Sequence, residues 1–304
     1  MASDKGQKAE TVAFISDADG EFQTFREFST EFQCSVVPVV GLTESRVSGL
    51  GTAFLVAHTD DGAGIYVTAR HVLDDFREIV PGGIRPAIVL PTKTGNIRIT
   101  APIAAIGVGM EPTDVGVIGV NLREVADRVS SDFPRFQISL AEPQAGDEFM
   151  AAGYSGLSTA INLAGSLQFD CPLHFSKGSV LEVHHSHRDT AMIRFPSART
   201  DAHFESGMSG GPVISGDGDV IGVVSSCLPG EAGLVKSTSY FALIPMIAHA
   251  VLRLPFGKVF PVWKYLQNGE LIADKRFGVT IERDEIGMWV IHYSTARSGE
   301  RDKG

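Results

Sequence analysis

Apolar and polar residues alternate along this chain in short blocks. From Cys34 onward, β-branched and apolar residues gather in "CSVVPVV" (34–40), "GTAFLVAH" (51–58), "GIYVTA" (64–69), "RPAIVLP" (85–91), "NIRITAPIAAIGV" (96–108) and "DVGVIGV" (114–120). The spacers "TDDGAG", "PGG" and "TKTGN" hold turn-forming residues, so these runs predict strands joined by hairpins. Residues 121–135 are polar, partly helical in pattern, and predict a connector. A second series follows: "DEFMAAG" (147–153), "INLAGSLQF" (161–169), "SVLEVHH" (179–185), "TAMIRF" (190–195), "GPVIS" (211–215), "DVIGVVSS" (219–226) and "STSYFAL" (237–243). "IPMIAHAVLRL" (244–254) has helical periodicity with Pro245 in its first turn. "FGVTIERDEIGMWVIHYS" (277–294) predicts a hairpin. Residues 1–30 are mixed and polar, with a weakly amphipathic "EFQTFREFSTEF", and no internal repeat is visible. The pattern predicts two strand-rich halves, about 34–122 and 136–245, in one unit over 31–255. An extension over 256–304 follows.

Composition narrows the function classes. The 33 glycines and 15 prolines in 304 residues agree with a turn-rich, all-β fold. A net charge of −10 argues against an electrostatic binder of nucleic acid or of anionic membranes, both of which lean on Lys and Arg. No apolar window reaches the roughly 18 residues of a membrane span, and the N-terminus shows no signal-peptide core. A soluble, cytoplasmic protein is expected. Cys34, Cys171 and Cys227 show no CxxC spacing and cannot all pair within one chain. Buried free thiols in a reducing compartment are the expectation, with a Cys171–Cys227 bridge left open.

The stretch "SGMSGGPVIS" (206–215) crowds Gly207, Gly210 and Gly211 around Ser209. Read by itself, it is either a glycine-rich turn into a strand or a serine nucleophile. A serine hydroxyl reacts at neutral pH only with a base in hydrogen-bond reach and a third group to orient that base. It also needs N–H donors for the developing oxyanion, and glycines let backbone approach a carbonyl closely. The Gly207 and Ser209 amides are the candidates. His71, in "GIYVTARHVLDD", follows a buried-looking strand that would hold its ring. Asp114, in "EPTDVGVIGV", precedes an apolar strand. Asp114 lies 43 residues after His71 and 95 before Ser209. His71 and Asp114 thus fall on the first half and Ser209 on the second, and clefts form between such units.

At these residues the chain resembles the trypsin-like peptidases. "GTAFLVAHTDDGAGIYVTARHVL" resembles their glycine-rich strand leading to Thr-Ala-x-His. "TDVGVIGV" resembles their aspartate strand. "TDAHFESGMSGGPVISGDGDVIGVVSS" (200–226) is similar in spacing to the nucleophile segment of HtrA/Deg-type proteases. "MAAGYSG" (150–156) and "FSKGSVLEV" (175–183) resemble two more segments. The resemblance implies two six-stranded antiparallel β-barrels of the chymotrypsin type, with a C-terminal helix and a short extension. It implies a serine endopeptidase with His71 as general base, Asp114 orienting it, Ser209 as nucleophile and Gly207 and Ser209 as oxyanion hole. Met208 stands where the family more often has Asn or Asp, and is expected to contribute mainly backbone. Secreted trypsins carry an Ile-Val-Gly-Gly start and several disulfides, which this chain lacks. With roughly 50 residues after the second half, no PDZ domain is expected. That extension packs on the barrels, docks a partner or joins a larger assembly.

The resemblance also places the specificity pocket at 203–208 and 225–227. His203 stands at the pocket-floor position, Ser225 offers its carbonyl to the substrate chain, and Ser226 and Cys227 line the pocket. Cys227 replaces a pocket-opening glycine, so a small or medium aliphatic side chain is expected; an acidic one facing His203 is the alternative. "HHSHRD" (184–189) reads as a solvated hairpin rather than a Zn²⁺ site, for no fourth ligand is evident. No metal or cofactor is expected. The expected partner is a protein or peptide substrate, with control by a regulatory partner, loop ordering or self-association left open. Two rival functions remain: a binding module on the same scaffold, and an esterase of another fold. The esterase would need Gly-x-Ser-x-Gly on a strand-to-helix elbow and the order Ser, Asp, His, whereas here a hairpin strand is expected after the serine and the order is His, Asp, Ser.

Overall fold

A computed structural model describes residues 30–43, 47–79, 85–93, 98–108, 112–129, 134–161, 167–228, 238–254, 257–272, 277–283 and 289–295. Helix α1 (Thr30–Ser35) leads into β1 (Val36–Leu42), β2 (Val47–His58) and β3 (Ala63–Ala69). Helix α2 (Arg70–Ile79) follows, then β4 (Arg85–Pro91), β5 (Arg98–Val108) and β6 (Val115–Asn121). After a 3₁₀ turn (Leu122–Val125) and a connector come β7 (Glu148–Tyr154), β8 (Ser158–Ile161), β9 (Leu167–Asp170), β10 (Leu173–His184) and β11 (Ser197–Thr200). Strands β12 (Pro212–Ser215), β13 (Val220–Leu228) and β14 (Thr238–Leu243) complete the second half.

Each half closes into a barrel. The first runs β1-β2-β3-β6-β5-β4 and the second β10-β11-β14-β13-β12-β7. Counted from its own first strand, each is ordered 1-2-3-6-5-4, so one antiparallel topology is used twice. Closure removes every exposed sheet edge from the barrels. Long runs of β2, β3 and β6 are buried on both faces, which is why they read as continuous apolar blocks rather than alternating ones. Phe54 and Phe136 meet edge-on at 5.8 Å in the first core, and Phe149 and Phe241 at 5.5 Å in the second.

Four expectations are corrected. "INLAGSLQF" is not one strand: β8 and β9 pair as a hairpin, and residues 162–166 lie outside the described ones. "TAMIRF" forms a loop, with the strand starting at Ser197. The strand expected from Cys34 begins two residues later, because 30–35 are helical. The helix expected over 244–254 is a short 3₁₀ segment (Ile244–His249), after which β15 (Val251–Arg253) pairs with β16 (Val259–Pro261). The amphipathic stretch before Thr30, the "PGG" spacer and part of "TKTGN" lie outside the described residues.

The extension belongs to the core. Phe260, Val262, Leu266 and Leu271 are each 1% exposed, Val262 and Leu266 lying on helix α3 (Val262–Gln267). Ile138 of the connector donates its N–H to Leu271 and bridges Ile272 on one side and Val220 on the other. The expected hairpin is present as β17 (Phe277–Arg283) and β18 (Trp289–Thr295).

Candidate active site

Strand register brings His71 and Asp114 together. Ala69 pairs with Val115, so the chain leaving β3 and the chain entering β6 run side by side. Asp114 then caps α2: its carbonyl accepts the Arg70 N–H at 2.9 Å and its Oδ1 accepts the His71 N–H at 3.0 Å. Its Oδ2 lies 2.8 Å from His71 Nδ1 and accepts the Ser225 hydroxyl at 2.5 Å. A carboxylate only 5% exposed is tolerable because donors surround it and the positive end of a helix faces it. With Nδ1 donating to the carboxylate, Nε2 carries the lone pair, and the ring, 46% exposed, presents it.

Ser209 lies in the turn between β11 and β12. Gly207 and Gly210 have φ of +98° and +90°, a region only glycine enters freely. Space gives a second reason for glycine. A Cβ on Gly210 would stand 2.1 Å from the Thr52 carbonyl oxygen, and one on Gly211 1.9 Å from that of Ala152. The turn is tied to the second barrel by Gly210 N–H to Val224 at 2.8 Å. The Ser209 hydroxyl donates to the Ser225 carbonyl at 3.0 Å. Ser225 therefore joins the two barrels' contributions: its hydroxyl on Asp114, its carbonyl under Ser209. Among the described residues, neither the Gly207 nor the Ser209 amide has a hydrogen-bond partner.

Residues expected around a specificity pocket are also neighbours. Cys227 Sγ lies 3.9 Å from His203 Nδ1, while His203 Nε2 faces Glu205 Oε1 at 3.3 Å. Ser176 pins the His203 carbonyl at 2.6 Å. The Ser226 hydroxyl is buried and has no partner among the described residues. Met208 departs from expectation: its side chain is 1% exposed in the second core, and its sulfur accepts the Glu205 N–H at 3.3 Å. It contributes packing as well as backbone. The three cysteines are free thiols, Cys34 buried and Cys171 and Cys227 half-buried, so the bridge left open is not formed. In "HHSHRD", His185 turns to Glu142 at 3.1 Å and His184 to Glu182 at 3.9 Å, so the two rings serve different carboxylates.

Sequence reasoning missed two contributors. The Ser225 hydroxyl was hidden because only that residue's carbonyl was expected to matter. Thr52 was hidden in a strand; the signal was the glycine beside it, since a Cβ on Gly51 would stand 2.7 Å from the Ser209 carbonyl oxygen.

Residues 51–223, more than half the chain, match the trypsin-like peptidase domain. The chain belongs to the trypsin-like peptidases. Its class is that of a protease-type hydrolase. A comparison with curated proteins finds no match. Among crystal structures, this trypsin-like peptidase is similar to Deg5, at 19% identity over 71% of this chain and 87% of that one, with a TM-score of 0.47. The Rv3671c protease of M. tuberculosis in its active form is 20% identical over 71% and 78%, with a TM-score of 0.44. The MamO protease domain of Magnetospirillum magneticum is 18% identical over 70% and 94%, also at 0.44. These are distant likenesses. Among the described residues, no helix of the peptidase is long and apolar enough to cross a membrane.

Proposed function

We propose that this peptidase is a serine endopeptidase in which Ser209 is the nucleophile, His71 the general base and then acid, and Asp114 the group that orients His71. The observation that carries the reading is the buried Asp114 carboxylate, bonded at once to His71 Nδ1 and to the Ser225 hydroxyl. In attack, the hydrogen that Ser209 gives to Ser225 passes instead to His71 Nε2, and Oγ bonds to the scissile carbonyl carbon. The Ser225 carbonyl is then released for the substrate chain. The Gly207 and Ser209 amides receive the oxyanion. Collapse breaks the C–N bond, His71 returns the proton to the leaving amine, and water hydrolyses the acyl-enzyme by the same route. His203, Ser225, Ser226 and Cys227 border the pocket, and Cys227 narrows it toward small or medium aliphatic side chains. Gating by a partner or by loop ordering completes the proposal, and full activity of the purified protein on denatured casein would overturn that part.

The test is a fluorophosphonate probe on wild type beside Ser209→Ala. Labelling of the wild type alone, with casein hydrolysis lost by a factor on the order of 10⁶ in the variant, is expected. A folded wild type that ignores the probe even when unfolded casein is cleaved would sink the assignment of Ser209.

A further inference from the structure

Thr52 lies fully buried on β2 of the first barrel, yet its hydrogen bonds reach into the second. Its N–H donates to the Ser209 carbonyl at 2.8 Å. Its hydroxyl lies 3.0 Å from the Gly207 carbonyl and 2.8 Å from the Tyr154 nitrogen. The direction of each bond is fixed, because a backbone N–H can only donate. Tyr154 therefore gives its hydrogen to Oγ1, and the single hydroxyl hydrogen goes to Gly207. The Thr52 carbonyl in turn accepts the Thr68 hydroxyl at 2.6 Å, on the strand that runs on to His71. Opposite Thr52 in β1 stands Pro38, which has no N–H to offer.

These bonds hold the turn on both sides of the nucleophile. The peptide from Gly207 to Met208 is gripped at both ends, its oxygen by Thr52 and its N–H by Glu205 at 3.1 Å. The oxygen of Ser209 is held by the Thr52 N–H. Gly207 has no side chain to restrain the peptide before it, and glycine turns about φ more freely than any other residue. The fixed points supplied by Thr52, together with the Met208 carbonyl that accepts the Gly211 N–H at 2.9 Å, therefore keep the unpartnered Gly207 and Ser209 amides aimed. We infer that Thr52 is a positioning residue, whose hydroxyl sets the direction of those two amides from the opposite barrel. The inference rests on the reading of Ser209 as nucleophile.

The variant pair Thr52→Val and Thr52→Ser tests it. Valine keeps the shape and removes both hydroxyl bonds; serine keeps the bonds and removes a methyl. With a peptide substrate, Thr52→Val is expected to lower kcat on the order of 10²-fold, the loss typical of a small misplacement, while KM changes little. A peptide boronate should lose affinity by a similar factor, and Thr52→Ser should recover most of both losses. Amide hydrogen exchange over 205–211 should quicken in the valine variant only. Wild-type kcat together with unchanged exchange in Thr52→Val would overturn the inference. If the wild type cleaves casein yet fails to react with a fluorophosphonate, the proposed function falls, and the exchange arm alone decides whether Thr52 holds the turn. If the valine variant does not fold, the wild type still answers. Its Tyr154 amide must exchange as slowly as the barrel strands, and fast exchange there overturns the inference.

Discussion

The Asp114 carboxylate grips His71 twice, its Oδ1 taking the backbone N–H at 3.0 Å and its Oδ2 facing Nδ1 at 2.8 Å. The first bond sets where the residue starts the helix, and the second sets which ring nitrogen carries hydrogen. The two are separable by mutation. Asp114→Asn keeps an oxygen for the backbone N–H but can turn an NH₂ toward Nδ1, which selects the other tautomer. The fold is expected to survive, and kcat on a peptide ester to fall on the order of 10⁴-fold. Circular dichroism beside kcat checks both halves, and near-normal turnover would refute the role given to Asp114.

The pocket makes a second prediction. Cys227 stands 3.9 Å from the His203 ring, at the wall of the proposed pocket. Cys227→Gly removes that side chain without touching His71, Asp114 or Ser209. A peptide library profiled before and after should shift from small or medium aliphatic residues toward larger ones before the cleaved bond. Discrimination of about 10-fold or more is expected, since one methylene in such a pocket is worth roughly that. An unchanged profile would place the pocket elsewhere.

The legible and illegible parts of this chain differ for physical reasons. Strands such as β3 and β6 were readable because apolar side chains fill both faces, and that leaves a block in the sequence. His71, Asp114 and Ser209 were readable as candidates because each sits beside a marker of its own, a strand end or a cluster of glycines. "TAMIRF" misled because a single side chain overrides its strand-like composition. Asp189 Oδ1 accepts the N–H groups of Ala191, Met192 and Ile193 and closes a loop. The stretch 244–254 misled because apolar residues spaced for a helix also serve a 3₁₀ turn followed by a strand whose Leu252 is buried. Thr52 left only the neighbouring Gly51 as a sign, since a threonine in a strand looks the same whether or not its hydroxyl spans two barrels.

The extension supplies a third prediction. Phe260 is 1% exposed and stacks on Tyr265 with ring centres 4.0 Å apart and planes 9° apart. It closes the same core that holds Phe54 and Phe136. Phe260→Ala is expected to cost about 3–5 kcal/mol in urea unfolding, the range for deleting a buried ring. A cost below about 1 kcal/mol, on the scale of a surface change, would make the extension an appendage.

The loop closed by Asp189 gives a prediction with a sign in pH. Amides, Met192 first and then Ala191, hold its carboxyl below the ordinary carboxylate value, because they bond the charged form. A carboxyl lowered in the folded state adds stability above its unfolded value and loses it as pH falls through the folded one. Asp189→Asn abolishes that titration. The wild type should therefore melt above the variant at about pH 6, and the gap should close toward about pH 2.5. Limited proteolysis should follow the same course, with cuts in 188–193 appearing early in the variant at neutral pH and in both proteins in acid. Ile193 is 2% exposed and the Arg188 guanidinium lies 5.3 Å from the Tyr240 ring centre, so the loop keeps two other attachments when the carboxylate is lost. The expected damage is thus local opening rather than unfolding. A melting gap that stays constant between the two pH values would show that the charge of Asp189 does not hold the loop.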